Sequence, residues 1–509
     1  MTMGPQCTIG GCTSSINRGF AARFSFAVIV AGLVWCAPWT ARANGRFPRA
    51  NRLIEDPHDP LHLVLAATYG IVVTSDRGRN WHHVCEASFA GFEPYVGDPI
   101  LDLTGEGALL VDVQSELNLS VDKGCTWPPA FGGAGHYLPD FTIARDANRS
   151  IVAIDATSEG MAVINRLIES TDHGRSFQVR GTPPPVGVAF TIDVANGDAD
   201  RIYVSGLSTT NAAVFAMSVD HGETWTTRAI PLGADELPYI AAVDPRDPNK
   251  VFLRVASIAE RDGVPTANDA LLVTNDAGTS WREVFRAGAH ALGFALSPDG
   301  QTVLLGYGDP RADVSVDPSV LGIYRSSATS YAFSRLSTTS TTCLAWTTTG
   351  IYVCTSQFEA GRALAFTPAE RLSPDGSGFE PLLDLREVRG PLVCCGGEGN
   401  RRCAANWSTT CSVLGACGDG GSSVDGDACA LDGGSAPRLD AGWTDGPPLG
   451  HSDADVAPPS QASDGCACRT APIPCAARGR WLASLFAAIA AATRRLRGYR
   501  RKSASRTPE

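Results

Sequence analysis

The sequence predicts an all-β chain, a seven-bladed β-propeller with four-stranded blades, on three observations. A short pattern, Ser/Thr-x-Asp-x-Gly-x-x-aromatic, recurs five times, with spacings of 46, 50, 48 and 56 residues between its Asp positions. Strand-like apolar runs stand at fixed places before each copy, so the repeating unit is about 50 residues long. Each unit reads strand, Pro/Asp turn, strand, loop, strand, box turn, short strand. Such a unit cannot bury both sheet faces alone, whereas radial packing against neighbours does.

The chain begins with a segment unlike the rest. Residues 1–43 carry Arg18, Arg23 and Arg42 and no acid, followed by the apolar run FSFAVIVAGLVWCAPW and then Ala41-Arg42-Ala43. This is the order of a secretory signal peptide with cleavage after Ala43.

The repeats follow, over 46–388. The five boxes are Thr74, Asp76, Gly78 and Trp81; Ser120, Asp122, Gly124 and Trp127; Ser170, Asp172, Gly174 and Phe177; Ser218, Asp220, Gly222 and Trp225; and Thr274, Asp276, Gly278 and Trp281. In each, the Asp can accept backbone N–H groups within a tight turn. The Gly supplies a conformation that a Cβ would penalise. The aromatic residue returns to the core side and packs between units. Runs such as GIVVT and DALLVT precede the boxes, and HLVLAAT and KVFLRVA lie earlier in their units. Two weaker units complete the count of seven. The sixth has Ser326-Ser327-Ala328-Thr329 where a box belongs, and the seventh, TTCLAWTTTGIYVCT onward, also lacks one.

Residues 389–417 are Cys-rich with few apolar residues, so bridges are expected to hold them. Residues 418–465 are rich in Gly, Asp, Ser and Pro and read as a disordered, solvated spacer. Their Asp-Gly runs lack the ligand spacing of an EF-hand. Residues 466–509 hold an apolar helix from Trp481 to Thr493, followed by six basic residues between Arg494 and Lys502. Thirteen helical residues rise about 20 Å, short of a hydrocarbon core of about 30 Å. A short helix with a basic stop suits a sorting or anchor tail.

The boxes resemble the Asp-box, or bacterial neuraminidase, repeats of sialidases, sortilin-type receptors and related exported propellers. The pairing of DPRDPN-KVFLRV with SVDHGETW looks closer to sortilin-like and photosystem-assembly-factor-like propellers than to sialidases proper. In these families the boxes lie at the periphery and support hairpins, so the resemblance implies architecture rather than chemistry. The stretch Gly465-Cys466-Ala467-Cys468 ahead of the final helix resembles the C-terminal sorting tail of myxobacterial surface proteins. That implies removal of the helix and attachment at the cell surface through a lipid on Cys466 or Cys468.

No catalytic constellation emerges. A sialidase needs an Arg triad, a Tyr/Glu pair and an Asp acid, and announces its first Arg with aromatic-Arg-Ile-Pro. The corresponding stretch here is Gly45-Arg46-Phe47-Pro48-Arg49. Arg254 and Arg286 read as strand or rim residues, and Tyr69, Tyr203 and Tyr307 as packed core aromatics. His82 and His83 are adjacent on a strand and point to opposite faces, a poor chelating pair. No phosphate loop and no G-x-S-x-G elbow appears. No metal or cofactor is expected.

Ten Cys remain between the cleavage site and the tail, an even number that suits disulfides in an exported chain, with zinc as the rival reading for the cluster at 393–418. Cys343 and Cys354 flank a hairpin whose symmetric register pairs them. Cys85 and Cys125, in or after successive boxes, are a second candidate pair between neighbouring blades.

The expectation is therefore an exported, surface-tethered binding or scaffolding propeller without catalysis. The alternative is a glycan-active hydrolase with a divergent site at the propeller mouth. Its ligand would be a glycan, a peptide or an envelope protein, with the membrane reached only through the tail, and the body monomeric. Net charge supports this. The whole chain carries −11, residues 1–43 carry +3 and residues 469–509 carry +9, leaving −23 on 44–468. That acidity disfavours nucleic acid and anionic head groups.

Overall fold

The computed structural model describes residues 50–92, 98–144, 150–159, 162–261, 264–309, 316–355, 362–366, 380–393, 398–414 and 416–417. The expected signal peptide, spacer and sorting tail, with Cys466 and Cys468, lie outside the described residues.

The chain is an all-β propeller of four-stranded antiparallel meanders. The first sheet holds β1 (Ala50–Glu55), β2 (Leu63–Ala67), β3 (Gly70–Thr74) and β4 (His82–Cys85), and the second β5 (Ile100–Leu103), β6 (Leu109–Asp112), β7 (Glu116–Ser120) and β8 (Pro129–Gly132). The third holds β9 (Phe141–Ile143), β10 (Ile151–Glu159), β11 (Ala162–Ser170) and β12 (Gln178–Arg180). The fourth holds β13 (Val188–Ala195), β14 (Asp198–Leu207), β15 (Ala213–Ser218) and β16 (Thr226–Ala229). The fifth comprises β17 (Glu236–Asp244), β18 (Asp247–Ser257), β21 (Ala270–Thr274) and β22 (Arg282–Arg286), with the small hairpin of β19 (Glu260–Arg261) and β20 (Val264–Pro265) inserted between its second and third strands. The sixth holds β23 (His290–Leu296), β24 (Thr302–Gly308), β25 (Gly322–Ser327) and β26 (Ser334–Ser337). The last holds β27 (Cys343–Trp346), β28 (Ile351–Cys354), β29 (Arg362–Phe366) and β30 (Glu380–Asp384). Against the seven units counted in the sequence, six sheets are described with side chains on all four strands, and β29 of the last is described as backbone alone.

First strands pack beside first strands: β9 with β13, β13 with β17, β17 with β23, β23 with β27, β27 with β1, and β1 with β5. The first strand of each unit is therefore innermost. Middle strands such as Leu63–Ala67 and Ala270–Thr274 are buried at every residue, whereas the outermost Gln178–Arg180 is exposed throughout. This follows from covering both faces of each sheet, which makes inner strands read as unbroken apolar runs.

Apolar clusters fill the spaces between consecutive sheets. One joins Phe215 of the fourth sheet to Leu253 and Leu272 of the fifth, and another joins Leu53 and Leu63 of the first to Tyr352 and Leu383 of the last. The Cys-rich segment contains α1 (Glu398–Leu414), whose Trp407 and Leu414 are buried in that latter cluster. Three disulfides are described: Cys85–Cys403, Cys343–Cys354 and Cys411–Cys417. The expected pairing of Cys85 with Cys125 is thereby corrected. The Cys-rich segment returns to the first sheet and brings Cys403 to Cys85, while Cys125 is disulfide-bonded elsewhere.

Candidate binding site at the propeller mouth

The boxes build one end of each of the first five sheets as tight turns. In all five, the Ser or Thr hydroxyl donates to the Asp Oδ1, at 2.7–2.8 Å. The Gly N–H donates back to that hydroxyl. The second Asp oxygen accepts from a side chain four residues on: Asn80, Thr126, Ser176, Thr224 or Ser280. Burial pushes Asp76 and Asp172 upward, but these donors outweigh it and hold both at about 2. At Asp276 the Ser280 hydroxyl leads the same donors to about 2.

The residue after each Asp and the Gly that follows both have positive φ: Arg77 and Gly78, Lys123 and Gly124, His173 and Gly174, His221 and Gly222, Ala277 and Gly278. Each Gly then rests on the preceding sheet, with Gly222 against Leu167 and Gly278 against Phe215. Three of the residues before these glycines also reach back to that sheet. Lys123 pairs with Asp59 at 2.8 Å, His173 with Glu106 at 3.2 Å and His221 with Glu169 at 2.9 Å. Trp81 and Trp127 are buried, whereas Trp225, Trp281 and Phe177 are partly buried at the edges of the intersheet clusters. Chemically these turns are saturated with their own partners.

The opposite end, where the inner strands begin, is different. Two of its connections are long, running from 86 to 99 between the first two sheets and from 309 to 321 within the sixth. Four inner strands carry a bulge there, at Asn51, Phe190, Ala241 and Leu292. A bulge re-aims a side chain and interrupts pairing. Beside two of them lies a cavity of about 280 Å³ lined by Asn51, Arg52, Asp98, Pro99, Ile100, Leu292 and Thr342. It draws on the first, second, sixth and last sheets.

The inner strands bring charge to this region. Arg52 pairs with Asp102 at 2.6 Å, and Asn51 donates to Asp98 at 2.8 Å. Asp140 accepts from the Ile192 N–H at 3.0 Å. Burial among its neighbours raises the Asp140 carboxyl to about 7, against the pull of the Ile192 bond and the Arg52 charge, with Asp193 adding repulsion. Asp193 itself accepts from Thr142, Val194 and Val243 at 2.9–3.1 Å. Tyr239 stacks on Phe190 with ring centroids 5.3 Å apart, and the Arg254 guanidinium lies 4.8 Å from the Tyr239 ring while donating to the Ala291 carbonyl. Burial raises the Tyr239 hydroxyl, and the Arg254 charge opposes that rise. Asp112, fully buried on β6, accepts from the Gln114 N–H through one oxygen and has no partner at the other. Burial holds its carboxyl well above the usual range, and Asp140 adds to the rise.

The remaining sequence candidates are structural. Tyr203 donates to the Pro248 carbonyl and Tyr307 to that of Asp269, both fully buried, and Tyr69 is half-buried against the His83 ring. Arg286 is engaged by Glu236 and Glu283. His83 is buried between Tyr69 and Trp407, and that burial lowers it to about 4, whereas His82 lies half-exposed on the other face. Among the described residues no group of three or more His, Cys, Asp or Glu could hold a metal ion. Sequence reasoning passed over Arg52, Asp102, Asp140 and Asp193, which come singly from different units. For Asp102 and Asp193 the one signal is a carboxylate within an otherwise apolar first strand, as in ILDL and TIDV.

The fold defines the class, a β-propeller, and similarity to known proteins goes no further than that. No protein-family model matches the chain, and no curated protein matches it. Among solved structures, an ancestral GH74 enzyme is similar at 13% identity and TM-score 0.50, over 66% of this chain and 47% of that one. YCF48 from Cyanidioschyzon merolae has 13% identity and TM-score 0.31, over 52% of this chain and 94% of its own. Hydrazine synthase from Kuenenia stuttgartiensis has 9% identity and TM-score 0.43, over 65% of this chain and 99% of that chain. The present chain spans about half the length of the GH74 enzyme, and the likeness is one of fold alone.

Proposed function

We propose that this chain is an exported, surface-tethered propeller of the Asp-box, sortilin-like kind that binds or scaffolds a ligand at the mouth of its inner strands and performs no catalysis. The carrying observation is that Arg52, Arg254 and Asp193 at the mouth are each already engaged within the protein. Arg52 is held by Asp102, Arg254 by the Tyr239 ring and the Ala291 carbonyl, and Asp193 by three donors. What they frame is a cavity of mixed character, with the amide of Asn51 and the carboxylate of Asp98 beside Ile100 and Leu292. That suits recognition of a glycan, a peptide or an envelope protein better than attack on a bond. Export is supported by three disulfides, which persist in oxidising compartments, and by the signal and tail patterns of the sequence. Among the described residues no helix is long and apolar enough to cross a membrane.

The test is a glycan array and an envelope pull-down with the full chain, repeated with Arg52→Ala. Ligand capture that Arg52→Ala weakens at least tenfold supports the reading, and capture indifferent to that change removes the mouth from it. A glycan hydrolase is the second reading, favoured by the Asp140 carboxyl at about 7, the range of a general acid. Turnover of glycosides by the full chain, abolished by Asp140→Asn, would establish that reading instead.

A further inference from the structure

Every four-stranded sheet is built from one contiguous stretch of chain, so no strand is shared between the last sheet and the first. That seam has other fastenings. Thr342 Oγ1 donates to the Ala50 carbonyl at 2.6 Å, and the hydroxyls of Thr347, Thr348 and Thr349 all donate to the Glu55 carboxylate. After the last sheet the chain turns back along the outer strand of the first. The Arg389 N–H donates to the Trp81 carbonyl at 3.0 Å, the His83 N–H to Gly390 at 2.7 Å, and the Leu392 N–H to His83 at 2.8 Å. His83 and Pro391 form a parallel bridge. This return segment thus covers an outer sheet edge that would otherwise be open to pairing. Helix α1 then sets Trp407, Cys411 and Leu414 into the same cluster as Leu53, Trp81 and Leu383, and Cys403 is bonded to Cys85, 318 residues away.

We infer that the return segment 389–392 and helix α1 form a covalent clasp that closes the propeller at its first-to-last seam, doing the work of a strand shared by those two sheets. Closing so long a loop strongly restricts the opened chain. The restriction acts where the ring has least continuity of its own. The clasp opens by thiol–disulfide exchange. A dithiol reductant supplies two electrons and two protons to the sulfurs of Cys85 and Cys403, leaving two thiols, and is itself oxidised to a cyclic disulfide. The inference is independent of any ligand at the mouth.

Hydrogen–deuterium exchange on the full chain tests it. In Cys85→Ser/Cys403→Ser, amides of Ala50–Glu55 and Cys343–Trp346 should exchange at least tenfold faster than in the native chain. Those of Val188–Ala195 and Glu236–Asp244, on the fourth and fifth sheets, should stay within twofold. Equal acceleration in all segments, or none at the seam, overturns the inference. Should the double Ser variant fail to fold, folded Cys343→Ser/Cys354→Ser protein is treated with dithiothreitol and read at the same segments. Once free thiols confirm that Cys85–Cys403 is reduced, seam-selective acceleration upholds the clasp, and its absence overturns it.

Discussion

Gly278 lies against the ring of Phe215: a Cβ built on it would fall 2.6 Å from Cδ1 of that side chain. The box turn of the fifth sheet is thereby pressed onto the fourth, and Phe215 is in turn wedged between Tyr203 and Trp281 at ring separations of 5.1 and 5.2 Å. The glycine serves two needs at once, a φ of +85° and the close approach of two sheets.

Gly278→Ala should therefore cost more than its backbone conformation alone. A left-handed residue with a Cβ costs about 1–2 kcal/mol, and overpacking a filled contact adds about 1–3 kcal/mol. Gly197→Ala separates the two, since Gly197 has φ +74° with nothing within 4 Å of the added carbon. Urea unfolding should show a loss of about 1–2 kcal/mol at Gly197 and about 2–5 kcal/mol at Gly278. Equal losses would mean that the intersheet contact carries no energy.

Where the sixth sheet lacks a box, Lys250 takes over. Its ammonium is buried, pairs with Asp244 at 2.9 Å and donates to the Ala328 carbonyl at 2.9 Å, the position where the missing turn would stand. Lys250→Met leaves Asp244, only 1% exposed, with Arg246 as its remaining cation. Breaking a buried pair from one side costs about 3–5 kcal/mol. Lys250→Met/Asp244→Leu should cost clearly less than the sum of the single changes in a double-mutant cycle of denaturant midpoints. Simple additivity would show that the two groups are not coupled.

Acid should attack the box end first. Asp76, Asp172 and Asp276 sit at about 2 in the folded chain, below the ordinary 3.8, so the unfolded state binds their protons more readily. Their contribution is complete above about pH 4 and is lost as pH falls toward 2. Circular dichroism across that window should show a steep loss of structure, made shallower by Asp276→Asn because one titrating group is gone. An unchanged slope would exclude Asp276 from the transition.

Much of this architecture is legible in the residues themselves, and the reason is local. A box encodes its own turn within eight positions, and the pairing of Cys343 with Cys354 follows from a hairpin in which Trp346 stands opposite Ile351. Cys85–Cys403 could not be read that way, because it joins residues that meet only after the whole ring has formed. The same holds for the mouth. Arg52, Asp102, Asp140 and Asp193 each arrive on a different strand or unit, with no spacing to announce them. The clasp helix was hidden for another reason: its sequence, EGNRRCAANWSTTCSVL, is mostly polar, and it is held by one face and by cysteines rather than by an apolar stripe.

Asp140 should give the protein a second pH dependence, opposite in sign to that of the boxes. Its folded value of about 7 lies above the ordinary 3.8, so the folded state holds the proton more tightly, and stability is lost as pH rises from about 4 through 7. The difference between the two values corresponds to about 4 kcal/mol, and partial access of water to this half-buried carboxyl reduces that to about 2 kcal/mol. Asp140→Asn keeps an oxygen to accept from the Ile192 N–H but cannot ionise. At pH 8 it should be more stable than the native chain by about 2 kcal/mol, and at pH 4 no more stable. The paired urea titrations also report on function. If ligand binding at the mouth changes between pH 6 and 8 in the native chain and not in Asp140→Asn, the titrating carboxyl faces the ligand. If both chains show the same profile, Asp140 serves only to tie the third sheet to the fourth through Ile192.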